Sequence, residues 1–325
     1  MPPLRIFRSL DEIPADFAPC ALTIGNFDGV HAGHRTILRR VKEVAVARGL
    51  KASALTFDPH PSRVVAPERA PRLMTTPEQR CALMREEGIA QVFIMPFNRE
   101  IARLTPEQFV KEVLVDKLGV RAVMVGHDFC FGNRQSGNVH VLEELGHQYG
   151  FTTEEVKAVM VRGELVSSSA VRQLAAKGRV AQAARLLERP FALEGQVVHG
   201  HGIGSKQTVP TLNLAPDTEM FPANGVYITR THALDDPRVW KSATNVGYRP
   251  TFDDSHERSI ETFLLDPLAG STPQRIRVEF LWRIREERRF PDAASLKAQI
   301  LHDAGVAQAY FRRLQKWTCQ SDFPR

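Results

Sequence analysis

Apolar and polar positions change period partway along the chain. Cys20 to Ile24 is a short, mostly apolar run that reads as a strand. After a turn-rich segment, Ile37, Leu38, Val41, Val44 and Ala45 recur at helical spacing, with Gly49 placed as a C′ stop. Further strands are expected in ASALTF (52–57), QVFIM (91–95) and RAVMVG (121–126). Between them, Thr76-Pro77-Glu78-Gln79 and Thr105-Pro106-Glu107-Gln108 each offer an N-cap threonine, proline at the first helical position and glutamine three residues after the cap. Strands alternating with helices predict an α/β unit with a parallel sheet and helices on both faces. Ligands bind such sheets beyond the carboxyl ends of the strands, where GNFDGVHAGH (25–34), TFDPHP (56–61) and VGHDFCFGN (125–133) all fall.

From about Phe191 the helical pattern ends and short runs take over. FALEGQVVH, GVYITRTHA, VWKSATNVG, SIETFLLD and RIRVEFLWRI are short β-like runs punctuated by Gly and Pro, and they predict a small antiparallel β-barrel. A C-terminal helix is expected near 292–303, where Ala294, Leu296, Ile300 and Leu301 recur at partial helical spacing. The boundary is set near residue 186, giving domains 1–186 and 187–325.

Composition narrows the function classes. At 43% hydrophobic and 25% charged residues the chain is globular in type, and no apolar run approaches the ~18 residues of a membrane span. No secretory-type apolar stretch follows the early arginines, so a cytoplasmic location is expected. Cys20, Cys81, Cys130 and Cys319 lie far apart and form no C-x-x-C pair, which predicts reduced thiols. The net charge of +6 is scattered among acidic residues. It favours small anionic substrates over nucleic acid as partner. Oligomeric state is left open.

The two histidines of GNFDGVHAGH carry the first candidate chemistry. Set three apart at a helix start, His31 and His34 project from one face, where free N–H groups and the positive end of the helix dipole favour an anion. A metal site would need a third ligand; Asp28 is near in sequence, but no familiar ligand spacing is present. Metal, packed pair and phosphate device are the readings of this stretch taken alone, with phosphate favoured.

GNFDGVHAGH resembles the H-x-G-H signature of the nucleotidylyltransferase superfamily, and SSSAVR (167–172) is similar to its S-S-T-x-I-R segment, with Ser169 in place of threonine. The run TIGNFDGVHAGH, LTFDPHP, VGHDFCFG and SSSAVR, in that order, resembles the FMN adenylyltransferase module of prokaryotic bifunctional riboflavin kinase/FAD synthetases. The resemblance implies a Rossmann-like domain. It also implies that His31 and His34 stabilise triphosphate charge, and that Gly25, Asn26, Phe27, Asp28, Gly33, Ser168 and Arg172 bind ATP. Asp58, His60 and Pro61 with Asp128, Phe129, Phe131 and Gly132 are then expected on the flavin side. Transfer of this kind rests on positioning and electrostatic stabilisation and needs no covalent nucleophile.

In the second half, GHGIGSKQTVPTLNL (200–214) is a glycine-rich loop running into Pro-Thr-x-Asn. Glycines let backbone N–H groups approach an anion, and Thr and Asn supply oxygens suited to Mg²⁺. Pro210-Thr211-Leu212-Asn213, NGVY (224–227), TNVGYRPTF (244–252) and Glu261 together resemble the riboflavin kinase module of the same family. That likeness implies ATP binding by Gly200, Gly204, Lys206, Thr211 and Asn213, with Mg²⁺ held by Thr211 and Asn213. It implies flavin contacts from Asn245 and Arg249, and Glu261 as the base for the ribityl 5′-hydroxyl. The chain departs from the family at Ser205 to Val209, where Arg-x-Leu-Gly-Phe is usual, and after Asp266. The expected function is therefore flavin cofactor synthesis from riboflavin, FMN and ATP in two transferase reactions. The alternative keeps only the adenylyltransferase, with the barrel a flavin-binding or docking module.

Overall fold

In a computed structural model, residues 3–198, 211–248 and 258–320 are described. The chain divides into two compact units, Met1–Ser168 and Ser169–Arg325.

The first unit is built on a parallel sheet. Its strands are β1 (Arg5–Phe7), β2 (Cys20–Ile24), β3 (Lys51–Asp58), β4 (Gln91–Pro96), β5 (Val120–Gly126) and β6 (Thr152–Val156), in the order β1-β4-β3-β2-β5-β6. Alternation along β2 sends Cys20, Leu22 and Ile24 to one apolar core and Ala21 to the other. On one face lie α1 (Ala32–Arg48) and α3 (Pro77–Glu86), which bring Leu38, Val41, Ala45, Cys81 and Met84 to the sheet. The opposite face is covered by α5 (Val139–Tyr149) and by a helix that opens as α4 (Pro106–Gln108). Both expected capping boxes form, at Thr76 with Gln79 and at Thr105 with Gln108. Beyond the second box the helix widens into a π-helical stretch over Phe109–Lys117, which the capping residues do not signal and which buries Phe109, Val110, Val113 and Leu114. Gly49 ends α1 at φ 63°, a left-handed turn that a side chain would strain, and its N–H returns to Ala45 and Val46. A short helix α2 (Pro61–Val65) follows β3, and a ribbon of β7 (Met160–Val161) and β8 (Glu164–Leu165) precedes α6 (Ser168–Ala176).

The second unit is a closed antiparallel barrel. Its strands are β9 (Phe191–Val198), β10 (Thr211–Pro216), β11 (Gly225–Ala233), β12 (Val239–Tyr248), β13 (Arg258–Leu264) and β14 (Arg275–Arg285), closing in the order β10-β13-β12-β11-β14-β9. Helix α7 (Val180–Leu187) packs against β9 and β14. Inside the barrel Leu193, Ile276, Val278 and Phe280 are fully buried. They share the interior with a hydroxyl ladder in which Thr229 meets Ser242 and Thr244 at 2.8 Å and Thr244 meets Thr262 at 3.0 Å. Every hydroxyl of this ladder has at least one hydroxyl partner, so these buried polar groups are satisfied within the barrel. The closing helix α8 spans Ala293–Gln320, well past the expected end at 303. Ala307 and Phe311, four residues apart, extend its buried face onto Ile228 and Ala243 of the barrel wall.

Candidate active sites

Strands β3, β2 and β5 are neighbours, so the loops leaving their carboxyl ends emerge side by side, as the strand pattern predicts. The loop from β2 to α1 is unusual in its backbone. Phe27 and Val30 have φ of 51° and 37°, a region that non-glycine residues seldom occupy and that persists only where the surroundings hold it. The hold comes from Asp28, which is 1% exposed. Its carboxylate accepts hydrogen bonds from the N–H of Met74 and Thr75 at 3.0 Å each and from the Thr75 hydroxyl at 2.9 Å. That hydroxyl in turn accepts from the Gly29 N–H at 3.0 Å. Phe27 is buried beside Gly25 and touches the His34 ring edge-on, at a centroid distance of 5.1 Å. Asp28 and Phe27, expected at the nucleotide, thus direct their side chains inward.

His31 is the N-cap of α1, and its Nδ1 accepts the His34 N–H at 3.3 Å. A neutral imidazole that accepts at Nδ1 carries its proton at Nε2, so the cap leaves Nε2 as the ring's donor. The two imidazoles stack, with centroids 3.6 Å apart and planes 15° from parallel. Gly33 gives that stack its room, since a Cβ there would lie 3.2 Å from the His31 ring. The result is a pair of aligned imidazoles at the positive end of a 17-residue helix, an arrangement suited to phosphate.

Two distant segments meet this loop. The Ser168 hydroxyl donates to the Asp28 carbonyl at 2.8 Å, bringing the SSSAVR segment to GNFDGVHAGH across 140 residues of sequence. Arg172, one turn further along α6, projects from the same helix face as Ser168. The second visitor is Arg80 of α3, which the motifs did not single out. It is 1% exposed, and its Nη1 donates to the Asn26 carbonyl at 2.8 Å and to the Thr56 hydroxyl at 3.1 Å, with the Phe57 carbonyl at 3.4 Å. The Thr56 hydroxyl donates to the same Asn26 carbonyl at 3.2 Å. Its sequence signal was a charge within an apolar helical stripe, between Pro77 and the buried Cys81 and Met84.

The flavin-side candidates come from the neighbouring loops. Asp58 is exposed at the end of β3, while His60 is the buried N-cap of α2, its Nδ1 accepting the Ser62 N–H just ahead of which Pro61 stands. After β5, Asp128 is exposed. Phe129 stacks on Phe131 at 5.4 Å, and Phe131 leans on Phe109 at 5.9 Å. Phe131 belongs to the core and Phe129 is partly buried against it, so the outer ring is the one able to meet a ligand. Gly132, at φ 73°, lies where a Cβ would come 2.8 Å from Pro106. Burial pushes the Cys20 thiol up to about 12 and the Cys81 thiol up to about 11, which leaves both inert.

In the barrel, strand register gathers the second set. Asn213 of β10 lies opposite Glu261 of β13, and Glu261 lies opposite Asn245 of β12. Residues directly opposite on antiparallel strands share a face, so the two amides flank the carboxylate, with Thr211 two residues from Asn213 on the same side. All four are half-buried. The Ser259 hydroxyl donates to Glu261 Oε1 at 3.0 Å and fixes one carboxylate oxygen. Gly200, Gly204, Lys206 and Arg249 lie outside the described residues. Among the described residues no group of three His, Cys, Asp or Glu is placed to hold a metal. The donors beside Glu261 are hydroxyl and amide oxygens, of the hard type that Mg²⁺ takes with phosphate and water.

The profile of the FAD synthetase family matches residues 13–170 and that of the riboflavin kinase family residues 187–311. The bifunctional riboflavin kinase/FMN adenylyltransferase of Pseudomonas fluorescens is 35% identical over 306 residues, covering 94% of this chain and 97% of the relative. The protein of the same name from Escherichia coli K12 is 34% identical, covering 95% and 97%. That of Haemophilus influenzae is 30% identical, covering 95% and 99%. A solved structure from Streptococcus pneumoniae, described as a macrolide-efflux protein, superposes with a TM-score of 0.82 at 24% identity, covering 93% of this chain and 98% of that one. At that identity the likeness speaks for the fold alone.

Proposed function

The chain belongs to the family of bifunctional riboflavin kinase/FMN adenylyltransferases, and from that membership we propose how its residues divide the chemistry. The protein is an enzyme with two transferase activities, one making FMN and ADP from riboflavin and ATP, the other making FAD and pyrophosphate from FMN and ATP.

Adenylyl transfer is assigned to the loop at 25–34. An FMN phosphate oxygen attacks the α-phosphorus of ATP in line, and pyrophosphate leaves. His31, donating through Nε2, and His34 spread the charge that builds on the phosphates, with Ser168 and Arg172 holding the leaving pyrophosphate. Asp28, Phe27 and Gly33 keep the loop and the imidazole stack in shape, while Gly25 and Asn26 offer backbone. Phe129, Asp128, Asp58 and the His60–Pro61 turn form the flavin side.

Phosphorylation is assigned to the face of β10, β13 and β12. Glu261 takes the proton of the ribityl 5′-hydroxyl as its oxygen attacks the γ-phosphorus of ATP, and ADP leaves. Asn213 and Thr211 would hold Mg²⁺ with the phosphates, where the ion offsets their charge. Asn245 orients the flavin chain. The observation that carries this half is the flanking of Glu261 by Asn213 and Asn245 on adjacent strands.

We set the boundary between the activities at 186/187, which is supported by the start of the riboflavin kinase match at 187. A cytoplasmic location is proposed because both reactions consume ATP; cell fractionation checks it. The test of the whole reading is to incubate the pure protein with ATP and Mg²⁺ and either riboflavin or FMN, then identify the flavin and phosphate products. Both conversions are expected, and both stop when EDTA removes the metal. FAD from FMN without FMN from riboflavin would overturn the kinase assignment.

A further inference from the structure

Arg80 is a buried cation with carboxylates of Asp28 and Asp58 near enough to act on its charge but none in direct contact with it. It makes no ion pair among the described residues, and its Nε and Nη2 are buried without a protein acceptor. Oδ1 of Asn26, whose carbonyl Arg80 meets, is also buried without a protein partner. Burying a guanidinium costs free energy that an anion or a full set of acceptors normally offsets. Burial pulls its pKa below the ordinary arginine value, with the charges of Asp28 and Asp58 acting the other way, but arginine stays protonated. Its one satisfied nitrogen joins the nucleotide loop at Asn26 to the end of β3, at Thr56 and Phe57, which leads into the turn assigned to the flavin.

We propose that Arg80 is a positioning residue for adenylyl transfer, clamping the nucleotide loop at Asn26 to the end of β3 at Thr56 and Phe57 and setting a positive charge that no carboxylate contacts behind them for the substrates' phosphates. The proposal rests on the assignment of FAD formation to this unit. It explains why arginine occupies an apolar helical stripe, since a neutral residue of similar size would fill the space but leave the Asn26 carbonyl and the phosphates without the charge.

The test uses the full chain with Arg80→Met and Arg80→Lys. FAD formation is followed with FMN and ATP, together with inhibition of that reaction by pyrophosphate, which is anionic, and by adenosine, which is neutral. Riboflavin phosphorylation in the same preparations is the folding control. In Arg80→Met, kcat/KM for FAD formation is expected to fall at least about thirtyfold and the pyrophosphate inhibition constant to rise about tenfold. The adenosine constant and FMN formation should stay within about twofold of wild type. Arg80→Lys keeps the charge but not the fork, so pyrophosphate inhibition is retained while kcat falls. Equal weakening of pyrophosphate and adenosine in Arg80→Met, or an unchanged kcat/KM, overturns the proposal. Should Arg80→Met fail to fold, an unchanged kcat in Arg80→Lys overturns it. Wild-type protein that makes no FAD would instead overturn the underlying assignment.

Discussion

Replacing His31 by asparagine separates its two jobs. As N-cap, its Nδ1 accepts the His34 N–H at 3.3 Å, and loss of such a cap costs about 0.5–2 kcal/mol. The stacked ring at 3.6 Å from His34 adds about 0.5–1.5 kcal/mol. Asparagine is among the best N-caps, so His31→Asn restores the first contribution and loses only the second. Against an unfolding free energy of about 5–15 kcal/mol, that loss leaves well over about 99% of the molecules folded. If the imidazole donates through Nε2 to charge building on the phosphates, its removal lowers kcat for FAD formation about 10²–10³-fold, or about 2.7–4 kcal/mol. Steady-state FAD formation from FMN gives kcat, and a urea melt of the same sample gives stability. FAD formation within about threefold of wild type would show that His31 is a cap and nothing more.

Other perturbations probe the scaffold and the barrel. Asp28→Ala leaves the Met74 and Thr75 N–H groups and the Thr75 hydroxyl buried without their acceptor, at about 1–3 kcal/mol per group, and should lower unfolding free energy by about 3–9 kcal/mol in a denaturant melt. A loss under about 1 kcal/mol would contradict the anchoring role. In the barrel, burial pulls the Glu279 pKa upward, but His232, whose Nε2 lies 3.1 Å from its carboxylate, and the charges of Arg230 and Arg277 together hold it below the ordinary glutamate value. A depressed carboxylate stabilises the fold above its unfolded pKa of about 4.3, and that contribution is lost as pH falls through the folded pKa. Wild type should therefore exceed Glu279→Gln in Tm at pH 7, with the gap closing below about pH 4; a gap independent of pH would refute the linkage.

What the sequence revealed and what it hid have physical reasons. The central strands were legible because both faces are buried, so Leu22, Leu55, Phe93 and Val123 stand in near-continuous apolar runs. Strand β6, Thr152–Val156, reads TTEEV and sits at the sheet edge, where nothing demands an apolar run. Strand β1 has three residues, too few to show a period. Strand β10 is hidden within the Pro-Thr-x-Asn stretch that drew attention as a motif, yet its pairing places Asn213 beside Glu261. Helix α8 outran its expected end because its contact with the barrel rests on Ala307 and Phe311, one small and one large residue, in a stretch whose small residues blur the helical period. The paired histidines, Ser168 and Glu261 were legible as members of extended motifs. Arg80 was not, because a lone arginine on a helix reads as solvated until its burial is seen.

The division of labour between the two units is tested most directly with full-length Glu261→Gln and His31→Ala, each assayed for FMN formation from riboflavin and for FAD formation from FMN. Glu261→Gln should lose the first reaction and keep the second, His31→Ala should do the reverse, and mixing the two should restore FAD synthesis from riboflavin through released FMN. A folded single variant that loses both reactions would contradict two separate sites.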